Sequence, residues 1–222
     1  GSGTIRKVNS GFGQIVNDIK GADRCLAKYP PTGTAQFESN DHNTLILRVP
    51  ENNNFETYSD KFTVVIYYLT ACGGEDGPAK LMRYTASVAG GATPNATLDS
   101  VVATQVNDFS LAYVGHQTFW PDWNMKNFSL ATPSIGDLDG CPEQALIDGT
   151  DYVHDGRAAF ANGKLTFAAQ PPPGKLIDAT YNVDPSTIIT DFASNGAWEV
   201  YVHISSKPTW RDQSGAERSR EV

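Results

Sequence analysis

The stretch GDLDGCPEQALIDGTDYVHDG, residues 136–156, gathers Asp137, Asp139, Glu143, Asp148, Asp151 and Asp155 in one turn-rich segment. Carboxylate oxygens are the hard ligands that calcium collects in groups of about six to eight. Asp137, Asp139, Asp148 and Asp151 are therefore a candidate calcium site. The pattern is incomplete, because only Asp137-x-Asp139-Gly140 resembles part of an EF-hand loop and the bidentate Glu that closes such a loop is missing. An ordinary solvated acidic loop is the other reading of the same residues.

A second stretch, HQTFWPDWNMKNF (116–128), concentrates Phe119, Trp120, Trp123 and Phe128 around Pro121. Exposed, such rings form a stacking platform for sugar or a docking knob for a partner protein; buried, they form a lid over the core. Phe119, Trp120 and Trp123 are the partner-binding candidates. Catalytic chemistry has much less to stand on. The four histidines, His42, His116, His154 and His203, show no H-E-x-x-H spacing, and there is no G-x-S-x-G elbow or Gly-rich loop ending in Lys-Ser/Thr. His154-Asp155 is adjacent in sequence and reads as a surface pairing more readily than as an acid and base. The expectation is a protein that is not an enzyme.

The chain that must position these groups has 222 residues, 40% of them hydrophobic, enough for one sizeable core. Its 17 Lys+Arg against 25 Asp+Glu give a net charge of -8, which repels phosphate backbones and anionic lipid surfaces, so nucleic acid is not an expected partner. Gly1-Ser2-Gly3 reads as a cloning scar. Cys25, Cys72 and Cys141 lie far apart with no C-x-x-C spacing, which leaves open one disulfide with a spare thiol or three reduced thiols.

Over residues 4–28, Ile5, Val8, Phe12, Ile15, Val16, Ile19, Ala22 and Leu26 recur at three- and four-residue steps, with Asn17, Asp18, Lys20 and Arg24 between them. That spacing predicts an amphipathic helix, stopped by Pro30-Pro31. Thereafter the period becomes two. NTLILRVP (43–50), KFTVVIYYLTA (61–71), AKLMRYTASV (79–88), NDFSLAYV (107–114) and AWEVYVHISS (197–206) predict strands of an antiparallel sheet, the last with Trp198, Val200, Val202 and Ile204 on its one covered face. Phe12, Ile15, Ile19 and Leu26 are expected to lie on that face. Asn162-Gly163 predicts a hairpin within a long Pro-, Gly- and Asp-rich insertion at 115–195. The fold class expected is α+β: an N-terminal helix packed on an antiparallel sheet, one domain over residues 4–222.

The order of these elements resembles the minor pilins of the PilW kind and the minor pseudopilins of the J class. Asp18, Ile19 and Ala22 match the helix pattern of that family, Val65, Tyr67 and Leu69 its second strand, Leu81 and Arg83 its third, and Val106, Phe109, Leu111 and Tyr113 its fourth. The resemblance implies a pilin-like roll and a structural subunit of a type IV pilus or type II secretion pseudopilus, acting in fibre assembly or at the fibre tip. It further implies other minor pilins and the major pilin as partners, and a location in the inner membrane, the periplasm and the extracellular fibre. An apolar N-terminal anchor would precede the helix, and the calcium loops of some pseudopilins lend the acidic segment a family parallel. An exported β-rich module that binds carbohydrate or protein through the aromatic loop is the alternative.

Overall fold

The computed structural model describes residues 2–51, 61–70, 79–104, 106–138, 140–188, 199–211 and 217–219, with the backbone alone for residues 2–10, 107–108, 199–211 and 217–219. The polypeptide clusters into two compact units, Gly1–Leu111 with Ile204–Val222, and Ala112–His203.

In the first unit, helix α1 (Ser2–Gly21) is followed by β1 (Arg24–Cys25), β2 (Lys28–Tyr29), β3 (Phe37–Glu38), β4 (Thr44–Pro50), β5 (Phe62–Leu69), β6 (Leu81–Val88), β7 (Thr97–Ala103) and the first half of β8 (Val106–Phe119). The helix ends well short of residue 28. The Asp23 N–H donates to the Arg48 carbonyl at 3.0 Å and the Leu26 N–H to the Ile46 carbonyl at 2.9 Å, so the backbone is already pairing with β4 where the apolar spacing predicts more helix. Once those amide groups have sheet partners, continuing the helix would leave them without.

An antiparallel sheet follows in the order β1-β4-β5-β6-β7. Its central strands are buried on both faces rather than on one. Ile46, Val64, Ile66, Ala86 and Val88 join Leu26, Tyr29 and Ala96 in one core cluster, while Leu45, Leu47, Val65 and Tyr67, which point the opposite way, are buried as well. Runs of four buried residues in β4 and β5 follow from this. Leu26 thus serves this cluster and not the helix stripe. Of the predicted helix face, Ile15 is buried and Phe12 and Ile19 are half-buried; Trp198, on the face expected to receive them, lies outside the described residues. Gly11 is buried, and a Cβ there would stand 2.6 Å from the Val102 side chain and carbonyl of β7, so the helix can pass β7 only with glycine at this position.

In the second unit the rest of β8 continues, with β9 (Asn127–Ser129), β10 (Gln144–Ile147), β11 (Thr150–Asp151), β12 (Ala158–Ala161), β13 (Lys164–Phe167) and β14 (Ile177–Val183). β14 pairs antiparallel with β8 from Ile177↔Phe119 to Val183↔Tyr113, and β10 and β11 extend that sheet. β12, β13 and β9 form a second, three-stranded one. Phe128, Ile147, Leu165, Phe167, Ile177 and Ala179 are among the residues of the core. The Asn162-Gly163 turn closes the β12–β13 hairpin as expected, with φ of 52° and 70°, the left-handed pair that a two-residue hairpin turn requires. Gly115 sits opposite Tyr181, where a Cβ would meet the tyrosine ring at 3.0 Å. Further strands, β15 (Glu199–Arg211) and β16 (Glu217–Ser219), are antiparallel to each other.

The expected α+β pilin-like roll is therefore corrected. Among the described residues strands predominate, in several antiparallel sheets, against the single α-helix α1. This is a β-rich fold of several sheets and not the α+β roll that one N-terminal helix on a single sheet would make. The physical reason lies in the segment 115–195, where short strands between Pro- and Gly-rich turns pair with one another over long sequence distances and form a core of their own.

Candidate functional site

Asp18 falls between the apolar positions of the helix, where the sequence places solvated polar residues, yet its side chain is only 17% exposed. Its Oδ2 accepts a short hydrogen bond from the Tyr67 hydroxyl and one of 2.9 Å from Arg83 Nε, and its Oδ1 accepts from Arg83 Nη2 at 3.3 Å. Tyr67 on β5 and Arg83 on β6 are direct cross-strand partners, so both reach the same carboxylate from neighbouring strands. On its other side Arg83 Nη1 donates to Asp99 Oδ2 of β7 at 2.8 Å, and the Ser100 hydroxyl donates to the same oxygen at 3.1 Å. Burial, followed by the hydrogen bond to Asp18, pushes the Tyr67 phenol well above its ordinary value. Burial alone would lower the Arg83 guanidinium, but its hydrogen bonds and charge interaction with Asp18 outweigh that and raise it. The result is a half-buried network that ties α1 to β5, β6 and β7. Its hydrogen bonds join one helix residue to three neighbouring strands.

Three residues that carry the family resemblance, Asp18, Tyr67 and Arg83, are thus brought together, although the sequence showed them only as matches on separate elements. Arg83, the one charged residue of LMRYTASV, was the available signal for such a pairing, whereas Asp18 among the polar residues of the helix gave none.

The aromatic stretch divides in two. Phe119 ends β8 and Phe128 lies in β9, their rings 5.2 Å apart, with Phe167 5.8 Å beyond Phe128, so these belong to the core of the second unit. Trp120 and Trp123 lie in the connecting loop, 66% and 80% exposed.

The acidic residues are engaged one by one. Asp137 Oδ1 accepts the Glu143 N–H at 2.7 Å. Asp148 sits in the β10–β11 turn at φ 50° and pairs with Lys175 at 3.2 Å. Asp151 Oδ1 accepts from the N–H groups of Ala145, Val153 and His154 at 3.2, 3.0 and 3.3 Å, which fixes the turn after β11. Asp139 lies outside the described residues, and among the described residues no group of three or more His, Cys, Asp or Glu could hold a metal. Asp155 is taken by Arg157 at 2.6 Å, His116 pairs with Asp178, and His42 pairs with Asp41 at 2.7 Å. Cys25 and Cys141 are free thiols, and burial pushes the Cys25 thiol up to about 12. Cys72 lies outside the described residues, and among those described no helix is long and apolar enough to cross a membrane.

Comparison with known proteins adds no relative: no family model, no curated protein and no solved structure matches the chain.

Proposed function

We propose that the chain is a structural, non-catalytic subunit of the minor pilin or minor pseudopilin kind, acting in the assembly or at the tip of a type IV pilus or type II secretion pseudopilus. The observation that carries this reading is the convergence of Asp18, Tyr67 and Arg83. Each is a position on which the resemblance rests, and each lies on a different element of the first unit. A chance likeness of motifs has no reason to bring its matched polar residues onto one carboxylate.

On this reading the partners are other minor pilins and the major pilin, with anchorage in the inner membrane. Isothermal titration of the 222-residue chain against the soluble domains of pilins encoded beside its gene tests it. A complex with at least one of them, with Kd in the range of about 1 μM to 1 mM, is the expected result for contacts supplementary to a fibre core. No heat with any of them, together with a gene start that encodes an ordinary signal peptide instead of a short basic leader before an apolar segment, overturns the proposal.

A further inference from the structure

Trp120 and Trp123 are the two most exposed large apolar side chains among the described residues. A loop that served only to cover the core would bury them, as the flanking positions bury Phe128 and half-bury Phe119. Their loop is also held in place. Pro121 is buried and its carbonyl accepts from the Gly174 N–H at 3.3 Å, while the Asp122 carbonyl accepts from Gln170 Nε2 at 2.7 Å and from the Met125 N–H at 3.2 Å. Asn124 at φ 69° completes the turn, and at the loop's end the Lys126 carbonyl accepts from the Phe167 N–H at 2.8 Å. Two indoles on a braced backbone need little further ordering when a ligand arrives.

The chemistry around the rings selects the ligand. Asp122 and Asn124, both exposed, alternate with the tryptophans in the loop and supply carboxylate and carboxamide groups for hydroxyls. The formal charges of Asp122 and Lys126 cancel, and Lys175 of the bracing segment is paired with Asp148, so the patch carries no net charge to attract an ionic ligand. The rest of the chain, at -8, repels anions. A neutral polyol with alternating C–H faces and equatorial hydroxyls matches both features, stacking on the indoles and bonding at their edges.

We propose that the Trp120–Trp123 loop is a binding site for neutral polysaccharide. The inference goes beyond the fibre-subunit reading and does not depend on it. The test titrates the intact chain with cellohexaose, chitohexaose and maltohexaose, by calorimetry and by tryptophan emission, alongside the Trp120→Ala, Trp123→Ala and double variants. Saturable binding of at least one oligosaccharide is expected, weakened about tenfold or more by each substitution, as for a ring at the centre of a binding site. Both positions are exposed, so the variants should melt with the wild type, which shows that lost binding is not lost folding. Absence of binding to all three sugars overturns the proposal, as does binding that survives the double substitution. Sedimentation covers the remaining case: a wild-type dimer that the double variant dissolves, with no sugar bound, would assign the patch to a second copy of the chain and refute a carbohydrate site. Pilin-domain binding that persists in the double variant would leave the fibre-subunit reading untouched, so the two ideas fail separately.

Discussion

Replacing Arg83 with Met keeps the stem of the side chain and removes its guanidinium, which makes it the cleanest probe of the network in the first unit. Arg83 donates twice to Asp18 and once to Asp99, its own side chain being 14% exposed. With Arg83 gone, Asp18 keeps among the described residues only the Tyr67 hydroxyl, and a carboxylate 17% exposed loses the countercharge of Arg83. Breaking a largely buried pair in this way costs about 3–5 kcal/mol. The contact with Asp99, whose side chain is 42% exposed, adds under about 1 kcal/mol after solvent screening. A total of about 3–6 kcal/mol corresponds to a fall of roughly 10–20 °C in the midpoint of the unit concerned. Urea melts followed by far-UV circular dichroism would measure it, with Asp18→Asn and the double variant completing a cycle. The pair should couple by about 1.5–3 kcal/mol, since each single change already breaks the same contact. A loss below about 0.5 kcal/mol for Arg83→Met, or additive effects of the two substitutions, would refute the reasoning, and so would an Asp99→Asn variant as damaging as Asp18→Asn.

On the helix, burial separates two residues that sequence periodicity treats alike: Ile15→Ala should cost about 2–4 kcal/mol because Ile15 is 3% exposed, and Ile19→Ala, at a half-buried position, about half of that; equal costs in denaturant melts would mean the buried face is misplaced. For Cys25 the folded thiol titrates near about 12 against an ordinary 9.0, raised by burial, so the unfolded chain releases this proton first. The associated stability is whole below pH 9 and is lost as pH climbs through 12, about 2 kcal/mol of it by the midpoint of that window. The alkaline decline in melting temperature should therefore be shallower in Cys25→Ala than in wild type, and parallel curves would contradict the assignment.

In the five-stranded sheet β4, β5 and β6 were legible because TLILRVP, FTVVIYYL and LMRYTASV are dense in β-branched and aromatic residues, a preference each segment expresses on its own. Asn162-Gly163 was equally legible, since a left-handed two-residue turn is a local demand that few other pairs meet. β14 was missed although Ile177, Ala179, Tyr181 and Val183 alternate inward: Pro171–Gly174 before it made the whole segment look like loop. β7 could not be read at all, because its exposed residues from Thr97 to Val101 show no alternation.

What the sequence determined by itself was the set of local choices: where period two replaces a helical period, and where a turn must be left-handed. Tertiary structure decided everything that depends on a distant partner. The helix stops at Gly21 because β4, more than twenty residues on, offers its backbone groups to Asp23 and Leu26. Asp18 is a sheet anchor and not a solvated helix residue because Arg83 lies 65 positions away in sequence and one hydrogen bond away in space. Trp120 stands in water while Phe119 turns inward because β8 ends between them, and nothing in FWPDW records on which side of that boundary a ring will fall. Periodicity reports the face a residue occupies on its own element, whereas burial and pairing are properties of the neighbours that the whole chain brings to it.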